Sequence, residues 1–299
     1  MPVSTIGEDP SIVVQASREH AMNLKTMKLY SQVERVHNEL RARGFDADAP
    51  LKVCDLTPFD QYHYFGSEAV DLAARVLGIG PRSRVLDIGS GIGGPARHLA
   101  ETTGCEIVAL ELQRDLHDTA VALTRRCGLE NGVHHVCGDV LGPLPNWAPF
   151  DSIVSLLVFL HISDLRRLFS VCRRLLGDDG RMFIEDFVLQ RKPSPSQLDE
   201  LQVKVACPEL RSLPAYTAEL QRAGFALDAV TDMSGRWTDF TRQRAAAFRD
   251  DRRRHVSVHG EEITNGLDDF YSTVAGLFAA GVIGGVRIDA LSRPKVKGV

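Results

Sequence analysis

The chain lacks several features that would place it outside the ordinary globular proteins. None of its uninterrupted apolar runs reaches about 18 residues, the length that a membrane-spanning helix needs. Its first residues show no basic start followed by an apolar block, so we expect no secretory signal. Its 6 cysteines include no C-x-x-C pair, which predicts reduced thiols rather than a disulfide framework. We therefore expect a cytoplasmic protein with no membrane partner.

An excess of positive charge is also missing. The sequence has 35 Lys and Arg against 39 Asp and Glu, a net charge of -4, so we expect no nucleic-acid partner. The apolar content of 44% is ordinary for a globular protein, and 299 residues can bury a sizeable core. We predict three segments: an N-terminal helical cap with an aromatic lid (1–66), a ligand-binding core (67–190) and a C-terminal segment (191–299). The last should complete a sheet and carry a helical insertion.

Strand and helix patterns alternate through the core segment. Short apolar runs near 85–88, 106–110, 133–137, 150–157 and 181–186 predict buried strands, and helical patterns separate most of them. Such alternation predicts an α/β fold, a doubly wound and mostly parallel sheet with helices on both faces. Ligands of these folds bind at the carboxyl ends of the strands. A later run near 284–290 is expected to form a last strand at the edge of the sheet.

A glycine turn follows the first strand. Gly89, Gly91 and Gly94 fit the G-x-G-x-x-G pattern of dinucleotide-binding proteins. Gly89, Gly91 and Gly93 fit the G-x-G-x-G pattern of proteins that bind S-adenosylmethionine (SAM). Asp87 precedes the turn, and a carboxylate there would repel a pyrophosphate but suit a ligand with an ammonium group and no phosphate. The turn alone leaves both ligand classes open, and Asp87 favours SAM.

Two further carboxylates end the next two strands. Glu111 follows Gly89 by twenty-two residues, a position from which a carboxylate accepts both ribose hydroxyls. Asp139, after the third strand, is placed to accept the adenine amino group. The apolar side chains of Leu112 and Val140 are placed to sandwich the adenine ring. Together these residues predict a nucleoside-binding site.

These motifs resemble those of the class I SAM-dependent methyltransferases over about residues 66–190. The resemblance rests on the sequence from Val85 to Gly94, on Glu111 and on Gly138-Asp139. Within the class, Phe159-Leu160-His161-Ile162 is most similar to the phosphoethanolamine and sarcosine/dimethylglycine N-methyltransferases. The resemblance implies a Rossmann-like sheet of seven strands whose last strand is antiparallel. It also implies that Asp87, Ser90 in the turn and the glycines hold the methionine part of SAM, Glu111 the ribose and Asp139 the adenine.

The acceptor side of the site centres on His161. The resemblance implies that this histidine pairs over the substrate with an N-terminal tyrosine, for which Tyr62 and Tyr64 are the candidates. A neutral imidazole can accept the proton that an acceptor loses, so we predict catalytic roles for these residues. The sequence departs from the subgroup at Leu157, where an aspartate usually contacts the cationic amine. We therefore expect a small-molecule acceptor that is larger, less cationic or partly apolar.

The predicted function is transfer of a methyl group from SAM, most readily to nitrogen, with oxygen, sulfur and carbon as other acceptor atoms. An NAD(P)-dependent oxidoreductase and a non-catalytic SAM-binding partner subunit are the alternatives. No metal is expected, because His255 and His259 have the spacing of a zinc pair but no third ligand is evident. The sequence leaves the oligomeric state open between monomer and homodimer.

Overall fold

The structure is a computed structural model that describes residues 32–147 and 149–293. One sheet of seven strands forms its centre. The strands are β1 (Arg84–Ile88), β2 (Glu106–Glu111), β3 (Val133–Cys137), β4 (Phe150–Leu156), β5 (Leu176–Leu189), β6 (Phe225–Asp232) and β7 (Ile283–Ser292). Their order is β3-β2-β1-β4-β5-β7-β6. The first five strands are parallel, which confirms the predicted fold class.

The strand order reverses beside β1. The chain moves outward from β1 through β2 to β3, and then returns to the other side of β1 with β4. Asp87 is aligned with Ala109 on β2 and with Val154 on β4. The loops after β1 and β4 leave the sheet at this reversal in diverging directions, so a crevice opens there at the carboxyl ends of the strands.

The last strand is antiparallel, as the resemblance implies, but its predicted place at the edge is wrong. β7 pairs with β5 on one side and with β6 on the other. β6 is the edge strand, and all of its residues from Asp228 to Asp232 are exposed. The pattern of β7 explains its place, because eight of its ten residues are buried. A strand with neighbours and helices on all sides reads as an apolar run.

The helices bring apolar faces to both sides of the sheet. In the first half they are α1 (Glu34–Ala42), α2 (Val53–Asp60), α3 (Ser67–Leu77), α4 (Gly94–Thr103), α5 (Arg114–Arg126) and α6 (Leu165–Leu175). In the second half they are α7 (Pro195–Asp199), α8 (Leu213–Arg222), α9 (Ser234–Asp250), α10 (Arg252–His259) and α11 (Glu261–Ala279). A π-helical turn, Glu200–Lys204, continues α7. The part of the predicted N-terminal cap that precedes residue 32 lies outside the described residues.

Alternation along the strands divides the core. Leu86 and Ile88 face one apolar cluster, whereas Val85 faces another on the opposite side of the sheet. This follows from the two-residue period of a strand. A third cluster forms where α9 and α11 cover the end of β5, around Phe187 and Trp237. Within the described residues no helix is both long and apolar enough to cross a bilayer.

Candidate functional site

A cavity of about 440 Å³ lies at the carboxyl ends of β1, β2, β3 and β4. This volume falls in the usual range for sites that bind small molecules and cofactors. Most of the predicted site residues line it, namely Asp87, Gly89, Ser90, Gly91, Glu111, Leu112, Asp139, Val140, His161 and Tyr62. Gly93 and Tyr64 are not among the lining residues. The sheet thus brings strand ends that are far apart in sequence to one crevice.

The glycine turn has a backbone that other residues adopt only under strain. Gly89 and Gly91 have φ angles of +75° and +55°. A Cβ atom on Gly89 would lie 2.4 Å from the side chain of Val158, so the turn packs directly on the loop after β4. The backbone N–H of Gly91 donates to Oε2 of Glu111 at 2.9 Å. Gly93 instead precedes α4, and its Cβ position is crowded by Arg97 and His135.

Asp87 is a buried carboxyl with an incomplete set of partners. Its side chain is almost fully buried, and its Oδ2 atom has no hydrogen-bond partner among the described residues. Burial, and then the nearby charge of Glu111, raises the pKa of Asp87 to about 7. Ser90 Oγ and Gln113 Oε1 are also buried in the cavity wall without partners in the described chain. Burial of a polar atom without a hydrogen-bond partner destabilises the folded state, unless a bound ligand supplies that partner.

Glu111 and Asp139 are held by backbone groups. Oε1 of Glu111 accepts from the backbone N–H of Gln113 at 2.8 Å, and Oδ1 of Asp139 accepts from that of Leu141 at 2.8 Å. Burial raises the pKa of Glu111 although the backbone donors act in the opposite direction. Leu112 is 39% exposed, an unusual position for leucine that leaves an apolar face at the rim of the cavity. This arrangement fits a polar sugar and a flat apolar ring.

His161 is fixed in one tautomer. It ends a short 3-10 turn, Phe159–His161, that follows β4. Its Nδ1 atom lies 2.9 Å from the backbone oxygen of Ala206, which only an N–H can satisfy. In the neutral ring the basic lone pair is therefore on Nε2. The carbonyl of Ala206 thus selects the form of the imidazole that can accept a proton through Nε2.

Tyr62 and Tyr64 lie in different surroundings. Tyr62 lines the cavity, and its ring is 3.9 Å from the Cβ position of Gly91. Tyr64 is buried in the third apolar cluster, with its ring centre 4.9 Å from that of Trp237. Burial raises the pKa of Tyr64 to about 12, although Arg244 acts in the opposite direction. Of the two tyrosines, Tyr62 is the one that borders the cavity.

Strained backbone is concentrated on the acceptor side. Phe65, Leu157 and Ala206 have φ angles of 60°, 59° and 52°, in the left-handed region that non-glycine residues rarely adopt. Phe65 follows the two tyrosines, Leu157 follows β4, and Ala206 carries the carbonyl that orients His161. Such strain persists only where the surrounding packing enforces it, and it is common at functional sites.

The cavity has further lining residues to which the sequence analysis assigned no role in the site. They are Asp60, His63, Ile88, Ile92, Pro95, Leu110, Gln113, Leu116, Gly138, Leu141, Leu156, Val158, Ile162, Ser163, Asp164 and Arg167. The aromatic segment that contains Asp60 and His63 was a signal, since it was expected to close over the site. Arg167 donates to the backbone oxygen of Leu141 at 2.6 Å, and no motif marks it. Among the described residues no three His, Cys, Asp or Glu side chains form a group that could hold a metal.

Comparison with known proteins identifies the family. A family model described as a methyltransferase domain matches residues 61–230, which is more than half of the chain. The chain therefore belongs to the methyltransferase domain family.

Individual relatives share part of the chain. A glycine/sarcosine/dimethylglycine N-methyltransferase of Actinopolyspora halophila is 28% identical over 60% of this chain and 32% of its own length. A sterol 24-C-methyltransferase of Gibberella zeae is 26% identical over 44% of this chain and 35% of its own length. The chain thus matches about a third of the length of these relatives.

A solved structure has the same fold. It is a phosphoethanolamine N-methyltransferase of Haemonchus contortus in complex with phosphomonomethylethanolamine and S-adenosylhomocysteine. It superposes with a TM-score of 0.69 at 21% identity and covers 76% of this chain and 53% of its own. The seven-stranded, Rossmann-like fold of class I methyltransferases is thereby confirmed.

Proposed function

We propose that this chain binds SAM in the cavity and catalyses transfer of its sulfonium methyl group to a small-molecule acceptor. The observation that carries the proposal is the meeting of Asp87, Glu111 and Asp139 around one glycine turn. A dinucleotide-binding site needs backbone donors free of carboxylates near the pyrophosphate. Asp87 is buried beside this turn, so the site favours a cationic nucleoside ligand. Family membership supports the same reading.

The residues present fit SAM. The unpartnered Oδ2 of Asp87 suits the ammonium of the methionine part, and the open glycine turn leaves room for its backbone. We propose that Glu111 accepts the ribose hydroxyls and that Asp139 accepts the adenine amino group. Leu112 and Val140 would then contact the two faces of the adenine ring. Bound SAM would supply an activated methyl group.

We propose that the protein acts mainly by alignment and by exclusion of water. His161 would orient the acceptor and take its proton on Nε2, since Ala206 holds Nδ1 in its protonated form. Tyr62 would cover the acceptor from the lid. Tyr64 was the second candidate, and we propose a packing role for it because it is surrounded by aromatic rings. Positioning of two reactants lowers the barrier without any further titrating group.

We propose an acceptor that is larger or less cationic than those of the small-amine enzymes. Leu157 is 7% exposed and packs in the third apolar cluster, and it offers no charge to an ammonium. The two relatives named above differ in whether nitrogen or carbon is methylated, so kinship supports no single acceptor atom. The negative net charge supports a small molecule over a nucleic acid, and cytoplasmic location remains part of the proposal.

Radiolabelled methyl transfer tests this function most directly. The chain is incubated with methyl-labelled SAM and either a metabolite extract, a protein extract or an RNA extract. We expect label in the metabolite extract alone. Label only in protein or RNA would contradict a small-molecule acceptor. Binding of S-adenosylhomocysteine without transfer to any extract would favour the non-catalytic partner subunit.

The variant His161→Ala tests the acceptor side. Loss of a general base typically lowers kcat about 100-fold, so we expect partial and not complete loss of transfer. The affinity for S-adenosylhomocysteine, measured by calorimetry, should stay within about twofold because His161 is not assigned to the cofactor. An unchanged kcat would remove the proposed role. A large loss of cofactor affinity would indicate that His161 contacts the cofactor rather than the acceptor.

A further inference from the structure

Two arginines lie in an aromatic wall beside Tyr62. Arg35, on α1, has its Cζ atom 5.1 Å from the centre of the Tyr62 ring. Arg244, on α9, has its Cζ atom 4.5 Å from the centre of the Tyr271 ring and 4.9 Å from that of Tyr64. Both arginines are half-buried. The N-terminal cap and the helical insertion each contribute one cation to the same wall.

Neither cation has an anionic partner within the described residues. No Asp or Glu side chain there forms an ion pair with Arg35 or Arg244, whereas Arg254 and Arg287 pair with Glu39 and with a buried glutamate on β5. The Nε atoms of Arg35 and Arg244 are also buried without a hydrogen-bond partner in that part of the chain. A guanidinium has five donors, and a buried unmet donor is costly. Arg35 has side-chain hydrogen bonds with Tyr62 and Tyr271, and Arg244 has one with Tyr64, so the two buried Nε donors are the capacity that remains for an acceptor.

Arg35 keeps its positive charge within this wall. Burial opposes the charge of Arg35, but the nearby hydroxyls of Tyr62 and Tyr271 outweigh it, and the pKa of Arg35 is raised. The guanidinium of Arg35 also occupies a face of the Tyr62 ring that an ammonium ligand would otherwise use. A cationic group would meet like charge here. This agrees with the presence of Leu157, because a leucine has no carboxylate to pair with a cationic amine.

The wall adjoins the cofactor cavity through one residue. Tyr62 lines that cavity and contacts the glycine turn at Gly91, while Arg35 lies over the same ring. Arg35 is thus one tyrosine ring away from the turn. Tyr271 joins the two cations, because it is close to both Arg35 and Arg244.

We propose, on the basis of the function proposed above, that the methyl acceptor carries an anionic group, a carboxylate or a phosphate monoester, which Arg35 and Arg244 bind. Guanidinium groups recognise both anions through paired N–H donors. The aromatic rings that hold the arginines contact the apolar part of the acceptor. The acceptor has no permanent positive charge next to its anionic end.

Calorimetry with matched probes tests this subsite without knowledge of the acceptor. Benzoate, phenyl phosphate, benzyl alcohol and benzyltrimethylammonium share one ring and differ in charge. Each is titrated into the full chain saturated with S-adenosylhomocysteine. We expect at least one anion to bind about tenfold or more tightly than the alcohol or the cation, because charged hydrogen bonds carry this discrimination. The benzoate and phenyl phosphate arms distinguish a carboxylate site from a phosphate site.

Variants locate the binding. Arg35→Met and Arg244→Met should each weaken the preferred anion about tenfold or more, and Arg244→Lys should weaken it less because it keeps the charge. Arg236→Met is the matched control. Arg236 also stacks on a phenyl ring, that of Phe65, at 4.8 Å, but it is exposed. We expect it to leave anion affinity unchanged. Melting temperatures of all variants show whether each is folded.

Three outcomes would overturn the proposal. Equal or tighter binding of the cation contradicts a positive subsite. Failure of both anions to bind at millimolar concentration does the same. Lower melting temperatures with unchanged anion affinity would mean that the arginines only support the aromatic wall. Failure of the proposed function is seen separately. In that case S-adenosylhomocysteine would not bind when the chain is saturated with it before the probes are added.

Discussion

Asp87 connects stability to ligand binding through its ionisation. Its folded pKa of about 7 is well above the ordinary value of 3.8, because burial and then Glu111 disfavour the charged form. The folded state without ligand is therefore penalised as the pH rises from about 4 to 7, and the full penalty holds above 7. A cationic ligand reverses this preference. The residue is therefore unfavourable for folding without a ligand, which agrees with the proposal that it binds the ammonium group of SAM.

The pH dependence of cofactor affinity tests this assignment. Below about pH 7 the free carboxyl is protonated, so affinity for SAM should fall by up to about tenfold per pH unit. Asp87→Asn should weaken SAM binding strongly and flatten the profile. Without ligand it should raise the melting temperature at about pH 8 and change it little at about pH 4. A flat wild-type profile, measured by calorimetry, would contradict the role of Asp87.

At the scale of elements, α2 is anchored to the helix that follows the glycine turn by a buried ion pair. Nη2 of Arg97 on α4 donates to Oδ2 of Asp60 at 2.9 Å, and both side chains are fully buried. Nη1 of Arg97 donates to the backbone oxygen of Ile92 in the turn. A Cβ atom on Gly94 would lie 2.4 Å from the backbone oxygen of Asp60, so the lid packs directly on the start of α4. Tyr62 is thereby placed relative to the cofactor.

A double-mutant cycle measures this coupling. Asp60→Asn and Arg97→Met each leave one buried charge unpaired and should lower the free energy of unfolding by about 3–5 kcal/mol. The double variant has no unpaired charge, so its loss of unfolding free energy should be much smaller than the sum of the losses of the two single variants. The exposed pair Arg242–Asp239, joined at 2.7 Å, is the control, with an expected coupling of less than about 1 kcal/mol. Additive effects in urea unfolding at both pairs would show that the buried pair does not act as a unit.

At the scale of the whole molecule, an ion-pair cluster joins segments far apart in sequence. Glu39 of α1 pairs with two residues of α10: Arg254, whose Nη1 atom lies at 2.9 Å, and His259, whose Nε2 atom lies at 3.1 Å. Burial raises the pKa of Glu39, but the hydrogen bonds and charges of these two partners outweigh it, and its pKa is lowered. The contribution of this contact to stability is present above the ordinary pKa of 4.5 and declines as the pH falls through the lowered value.

Ligand-induced stabilisation tests the proposed cofactor at this scale. S-adenosylhomocysteine at about 100 times its dissociation constant should add about 2.7 kcal/mol to the free energy of unfolding. For a chain of this size that corresponds to about 4 °C in melting temperature. NADH should give no shift. Gly91→Arg fills the turn and should abolish the response, and a shift with NADH alone would favour the oxidoreductase.

Much of the fold and of the cofactor side could be predicted from the sequence. The core strands are short apolar runs between glycine and acidic residues, and the glycines from Gly89 to Gly93 mark a turn that needs positive φ angles. Asp87 and Glu111 lie in the last residues of β1 and β2, and Asp139 follows β3 closely, so their positions depend on local order alone. The edge position of β7 was mispredicted, because β7 inserts between β5 and β6, and its pairing with β5 joins segments distant in sequence and leaves no local signal.

The acceptor side depended on tertiary structure. The sequence proposed both Tyr62 and Tyr64, and only packing against Trp237 separates them. Nothing local indicates that the carbonyl of Ala206 meets His161, forty-five residues away.

The sequence by itself determined the class of the protein and the strand-end carboxylates of the glycine-turn site, because these follow from patterns within one strand, turn and helix. Only the tertiary structure decided which aromatic and cationic side chains lie together beside Tyr62, where we propose that the acceptor binds. That choice is made by contacts among α1, the lid and the insertion, and such contacts depend on the packing of the whole chain rather than on any one segment.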